Sequence, residues 1–122
     1  MKIIGHRIGG NLIKEKNSRY GDVYNPATGE VESKVALAAK SDVDKAVAAA
    51  KKALPEWSET PPIQRARILF KYKELIEKNI DELADLVGRE HGKTLSDAKG
   101  SVIRGLEVVE FACGIPHLLK GE

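Results

Sequence analysis

The sequence predicts a mixed α/β chain in which two β-hairpins precede three main α-helices. Two observations carry that prediction. Short apolar runs broken by Gly and Pro turns fill the first forty residues, and from Ser41 onward the apolar residues recur at helical spacing instead. The chain therefore divides into a β-hairpin region over residues 1–40 and a helical region over 41–122.

Ile3, Ile4, Ile8, Leu12 and Ile13, spaced by Gly5 and by Gly9-Gly10-Asn11, predict two short strands around a tight turn. After the polar run Lys14 to Arg19, the segments Tyr20 to Asn25 and Glu30 to Leu37 flank Pro26-Ala27-Thr28-Gly29. Pro suits the second position of that turn and Gly tolerates positive φ, so a second strand pair follows. Isolated hairpins are marginal in water, and both pairs need helices or further sheet to pack against.

Ser41 with Asp44 predicts a helix start, and Val43, Ala46, Val47, Ala50 and Leu54 keep helical spacing until Pro55. The first helix is expected over Asp42 to Leu54. Thr60-Pro61-Pro62 opens a second, because the first helical turn has no partner for the N–H that Pro lacks. Ile68, Leu69, Tyr72, Leu75 and Ile76 form its expected buried stripe, with Lys73–Glu77 and Glu74–Lys78 pairs on a solvated face. Asn79 bends or interrupts it; the period resumes at Ile80, Leu83, Ala84 and Val87 and ends at Gly92, a left-handed cap. Thr94 with Asp97 starts the third helix. Leu95, Ala98, Val102, Leu106, Val109 and Cys113 line one side of it, and Val108, Phe111, Ala112 and Ile115 a second. A helix apolar on two sides needs two packing partners, more than the remaining chain provides.

A length of 122 residues, 42% of them hydrophobic, 31% charged and only 5% aromatic, bounds one small soluble domain or a piece of a larger one. Twenty Lys and Arg, interspersed with eighteen Asp and Glu, leave no basic stripe for a phosphate backbone, which excludes nucleic acid as a partner. No apolar run approaches the ~20 residues that span a bilayer, so no membrane role is expected. The single Cys makes no internal disulfide, and the opening Met1 to Arg7 loses its apolar run too soon for a signal peptide, which points to the cytoplasm.

Gly92-Lys93-Thr94 echoes the end of a phosphate-binding loop, but the first Gly of that motif falls on Val87 and a helix precedes it where a strand is required. Two abutting helix caps explain the triplet. Cys113 lies late in an apolar helix, where the dipole disfavours thiolate, and reads as a core thiol. His6, His91 and His117 have no zinc-type spacing, and His91 most simply complements a helix C-terminus. Arg104 is more informative. It shares a helix side with Gly100, Val108 and Phe111, where Gly100, Ser101 and Gly105 leave space, and it either offers a planar fork to a carboxylate or pairs locally with Glu107.

Asp22-Val23-Tyr24-Asn25-Pro26-Ala27-Thr28-Gly29-Glu30-Val31, the Ala-rich stretch from Ser41 to Trp57, Arg65-Ala66-Arg67-Ile68-Leu69-Phe70 and Glu90-His91-Gly92-Lys93-Thr94, in that order, resemble the opening of an aldehyde dehydrogenase. The segment from Gly100 to Gly114, with His117-Leu118-Leu119-Lys120-Gly121-Glu122, is similar to the methylmalonate-semialdehyde dehydrogenase branch. The resemblance implies an α/β fold for the complete enzyme, with residues 41–122 as the helical part of an incomplete dinucleotide-binding domain. It also implies oxidation of malonate or methylmalonate semialdehyde with NAD, through a catalytic-Cys thioester passed to coenzyme A, in a homo-oligomer. The nucleophilic Cys, the oxyanion Asn, the general-base Glu and the nicotinamide site of such enzymes match nothing in this chain, so no catalytic or cofactor-binding residue is expected within it. Arg104 matches the arginine near the substrate's distal carboxylate. Glu90, with the backbone near Val23 and Tyr24, matches a monovalent-cation position. Two other readings stay open: a stand-alone, non-catalytic helical interaction module, and another, hydrolytic branch of aldehyde dehydrogenase.

Overall fold

The structure, a computed structural model, describes residues 1–13 and 19–121; the polar run lies outside them except for Arg19, as does Glu122. The described residues form β1 (Lys2–Ile4), β2 (His6–Ile8), β3 (Asn11–Ile13), β4 (Arg19–Tyr24), β5 (Val31–Leu37), α1 (Lys40–Glu59), α2 (Pro62–Lys78), α3 (Ile80–His91), α4 (Leu95–Ala112) and α5 (Ile115–Leu118). This is the mixed α/β order that the periodicity predicts, strands first and helices after. The chain divides into two compact units, Met1–Glu59 and Thr60–Glu122, so α1 belongs with the strands.

In the first unit both hairpins form. β2 and β3 pair antiparallel, with His6 opposite Ile13, through a turn in which Gly9 and Gly10 take positive φ. β4 and β5 pair antiparallel, with Asp22 opposite Lys34 and an irregularity at Val23/Tyr24. Asn25 builds their turn. Its Oδ1 accepts from the Ala27 and Thr28 amides at 2.9 and 3.3 Å, and its carbonyl accepts from Gly29, whose φ is 75°. Ile3 and Ile4 depart from the expected first hairpin. They form β1, which lies parallel to β5 with Ile4 beside Val35, making a three-stranded sheet of order β1-β5-β4. Gly5 separates β1 from β2, so the two apolar pieces enter different sheets.

α1 differs from expectation at both ends. Ser41 is not the cap: the Asp42 carboxylate accepts from the Ala39 amide at 2.8 Å, the back-reaching half of a capping box, which moves the start to Lys40. Pro55 does not end the helix, which runs on to Glu59. Pro removes one helical N–H, and the residue whose carbonyl loses it, Lys51, is exposed to solvent.

In the second unit α2 begins with Pro61 as its cap and Pro62 in its first turn, as predicted. The expected single helix from there to Gly92 is two. At Asn79 the side-chain Nδ2 donates to the Leu75 carbonyl at 2.7 Å, which also accepts the residue's own amide at 3.2 Å, so the side chain competes with the helical ladder where α2 ends. With the short α5, five helices replace the expected three. α3 and α4 pack at close range because the residues between them are small: Ala84 and Ala98 are fully buried, and a Cβ on Gly88 would lie 3.4 Å from the Lys93 carbonyl oxygen. α2 packs on α4 and α5.

Among the described residues the buried hydrophobic ones are all small: Ala36, Ala66, Ala84, Ala98 and Cys113. The stripe expected to bury α2 is corrected on this point, since Ile68, Tyr72 and Leu75 are exposed and Ala66 is its buried residue. Glu74 pairs with Lys71 at 2.8 Å, whereas Lys73–Glu77 forms as expected, at 2.6 Å. On α4 the first apolar side faces inward from Ala98 to Cys113, while Leu95 at its start is exposed, and the second stays open, with Val108 and Phe111 exposed by 68% and 70%. No helix among the described residues is long and apolar enough to cross a membrane.

Candidate functional site

Gly92-Lys93-Thr94 is the joint between α3 and α4. Gly92 closes α3 in the left-handed conformation, φ 70°, with its amide donating to Gly88 at 2.8 Å, and Thr94 opens α4 by accepting from the Asp97 amide. As the spacing indicated, these are helix caps. Between them Lys93 is left half-buried beside the first turns of α4.

That joint organises the surroundings of Arg104. The Lys93 ammonium donates to Ser101 Oγ at 2.8 Å and lies 3.6 Å from the Asp97 carboxylate. Ser101 Oγ also accepts from Arg104 Nη2 at 3.1 Å, and its own O–H donates to the Asp97 carbonyl at 3.4 Å. Nη1 of Arg104 lies 3.7 Å from where a Gly100 Cβ would be. Two cations thus converge on one hydroxyl, less than about 6 Å apart, where mutual repulsion favours an anion between or beside them. Of the two readings of Arg104, the ion pair with Glu107 does not form, and among the described residues Arg104 faces no carboxylate partner. Arg104 is exposed, and a guanidinium tethered through one nitrogen keeps further N–H groups that suit a bidentate carboxylate.

Sequence reasoning singled out Arg104 and missed both of its associates. Ser101, one turn before Arg104, is a signal that spacing alone offers; Lys93 reaches the same hydroxyl only because Gly92 turns the chain between two helices.

The other expected positions fall in both units. Tyr24 ends β4 in the first unit, and Glu90 lies exposed in the last turn of α3 in the second. Among the described residues no three His, Cys, Asp or Glu side chains gather as metal ligands. Cys113 is a free thiol, 7% exposed at the end of α4, in keeping with a core role. His91 ends α3, where a cation complements the helix dipole. Among the described residues an open groove runs along α2, lined by Ile68, Leu69, Tyr72 and Leu75.

The aldehyde dehydrogenase family profile matches residues 13–122. The chain is 48% identical over its whole length to a malonate-semialdehyde dehydrogenase of Bacillus pumilus, covering 25% of that protein. It is 44% identical over 115 residues, 94% of the chain, to the human mitochondrial acylating methylmalonate-semialdehyde/malonate-semialdehyde dehydrogenase, covering 22% of it. Among solved structures, the methylmalonate-semialdehyde dehydrogenase of Oceanimonas doudoroffii superposes on the full chain with a TM-score of 0.95 at 50% identity, again over 25% of its own length. A Sinorhizobium meliloti 1021 protein assigned to the same activity and complexed with NAD gives 0.94 at 49% identity, over the full chain and 25% of its own. The chain spans about a quarter of the length of the relatives it matches. With the family profile covering nearly all of it, the chain belongs to the aldehyde dehydrogenase family.

Proposed function

We propose that this chain is the N-terminal segment of an NAD-dependent, coenzyme-A-acylating methylmalonate or malonate semialdehyde dehydrogenase, inactive by itself and working in a cytoplasmic homo-oligomer. Support for the reaction comes from the relatives' activities, and for the cofactor from the NAD-complexed relative. When bound, NAD accepts a hydride and coenzyme A takes up an acyl group; no described residue of this chain is assigned to hold either.

What this chain contributes is the acid end of the substrate. Arg104, exposed on α4 with no carboxylate partner among the described residues, is the observation that carries the substrate class. It binds the distal carboxylate of the semialdehyde and orients the aldehyde, whereas a neutral aldehyde gains nothing from it. A charge-assisted hydrogen bond contributes about 1.5–3 kcal/mol, so losing one prong of the fork, as happens with a Gln amide in its place, is roughly a tenfold to hundredfold effect. In the complete enzyme carrying this segment, Arg104→Gln raises KM for malonate semialdehyde by about 10- to 100-fold and that for propanal much less. Equal effects on both substrates would remove the clamp and favour another branch of the family.

A further inference from the structure

We propose that Ser101 is the positioning residue that aims Arg104, and that Lys93 shares the same anion through it. This rests on the reading of Arg104 as the carboxylate fork. A serine hydroxyl has one proton to give and two lone pairs to share. Here all three are used: the proton goes to the Asp97 carbonyl, one turn back on α4, and the lone pairs receive Lys93 Nζ and Arg104 Nη2. Because the proton is committed to the helix's own backbone, the lone pairs face away from it, and both cations are drawn to one spot. An arginine side chain otherwise samples many rotamers, and a tether on one Nη leaves the opposite edge of its guanidinium free for a substrate carboxylate.

Lys93 gives the arrangement its second function. Its ammonium is set by the Gly92 turn and by its own backbone amide, which donates to the Gly88 carbonyl at 3.2 Å, so it is fixed by the α3–α4 joint instead of by α4 alone. Asp97, 3.6 Å away, offsets part of its charge and makes no salt bridge to Arg104 among the described residues. A bound carboxylate therefore meets a directed fork backed by a nearby second positive charge, and a neutral aldehyde offers neither cation a counter-charge.

The test uses the complete enzyme carrying this segment, with malonate semialdehyde and propanal as the paired substrates. Ser101→Ala is expected to raise KM for the acid several-fold more than KM for propanal, with kcat for the acid moving less than its KM, and Ser101→Thr to restore the wild-type ratio. Lys93→Met is expected to shift the ratio in the same direction, and it keeps the inference open to refutation should Ser101→Ala fold poorly. If Arg104→Gln changes the ratio while Ser101→Ala and Lys93→Met leave it at the wild-type value, the positioning role is wrong and the carboxylate clamp survives. If Arg104→Gln itself leaves the ratio unchanged, the clamp falls and the inference with it. A proportional loss on both substrates that threonine does not rescue assigns Ser101 a purely structural part and overturns the proposal.

Discussion

Ala98 and Ala84 are fully buried where α3 meets α4, and neither position has room for a larger side chain. Helices approach this closely only when the residues between them are small, and added methylenes force off-rotamer side chains or push the backbones apart, at about 1–3 kcal/mol. Ala98→Leu is accordingly expected to lower the unfolding free energy by that amount in urea titrations followed by circular dichroism, whereas Leu95→Ala, at a mostly exposed position, changes it far less. A null result at Ala98 would mean that the two helices separate without penalty. The same joint holds Lys93 against Ser101, so the packing also sets the site. At this scale Arg104 was legible because a lone cation amid small and apolar residues stands out. Its tether was legible only in part: Ser101 is one turn away in the sequence, while Lys93 arrives through a change of direction that no periodicity encodes.

Local signals fixed most of the elements. Pro61-Pro62, Asn79, Gly92 and Thr94 each act within one turn of the chain, and each ends or begins a helix where its chemistry indicates. What could not be read is non-local or conditional. β1 pairs with β5 across some thirty residues, and parallel partnership leaves no turn signature in the sequence. Whether Pro55 stops a helix depends on whether the orphaned carbonyl faces water, a matter of tertiary context. Between elements, Lys73 on α2 makes the testable link. The hydrogen bond to Glu77 above all, with Glu110 of α4 3.7 Å away adding to it, holds its ammonium above the ordinary lysine pKa, against a smaller opposing effect of desolvation. A raised pKa in the folded state stabilises that state while the unfolded chain's lysine is still protonated, and the benefit disappears as pH climbs through the folded value. Comparing wild type with Lys73→Met, the difference in Tm is expected to be small and constant from neutral pH to about 9, then to shrink above the ordinary lysine value of about 10.4. A difference that grows with alkalinity would contradict the assignment.

The accessible surface of the chain is 9540 Å². Even two separate compact bodies of half its mass would together expose only ~7,800 Å². The excess is apolar in large part: Val43, Val47, Leu54 and Trp57 along α1 of the first unit, and Ile68, Tyr72, Leu75, Val108 and Phe111 on α2 and α4 of the second. On α4 this was legible, because a helix apolar on opposite sides announces a neighbour that the remaining chain does not supply; on α2 it was not, since Ile68, Tyr72 and Leu75 form the stripe expected to be buried. Relatives about four times as long carry further chain, which on the reading proposed above covers these faces. The purified 122-residue chain is therefore expected to bind an apolar dye, to self-associate, and to form no NADH from semialdehyde and NAD. Replacing Val108 and Phe111 together by Lys and Glu separates a covered face from a merely open one. In the isolated chain the pair is expected to reduce dye binding and association while leaving the helical circular dichroism intact, since both side chains are solvated already. In the complete enzyme the same pair buries two charges against apolar neighbours and is expected to cost several kcal/mol, seen as loss of soluble folded protein. Unaltered stability and activity of the complete double variant would show that this side of α4 faces solvent throughout, and turnover of semialdehyde by the short chain alone would show that the reaction centre lies within it.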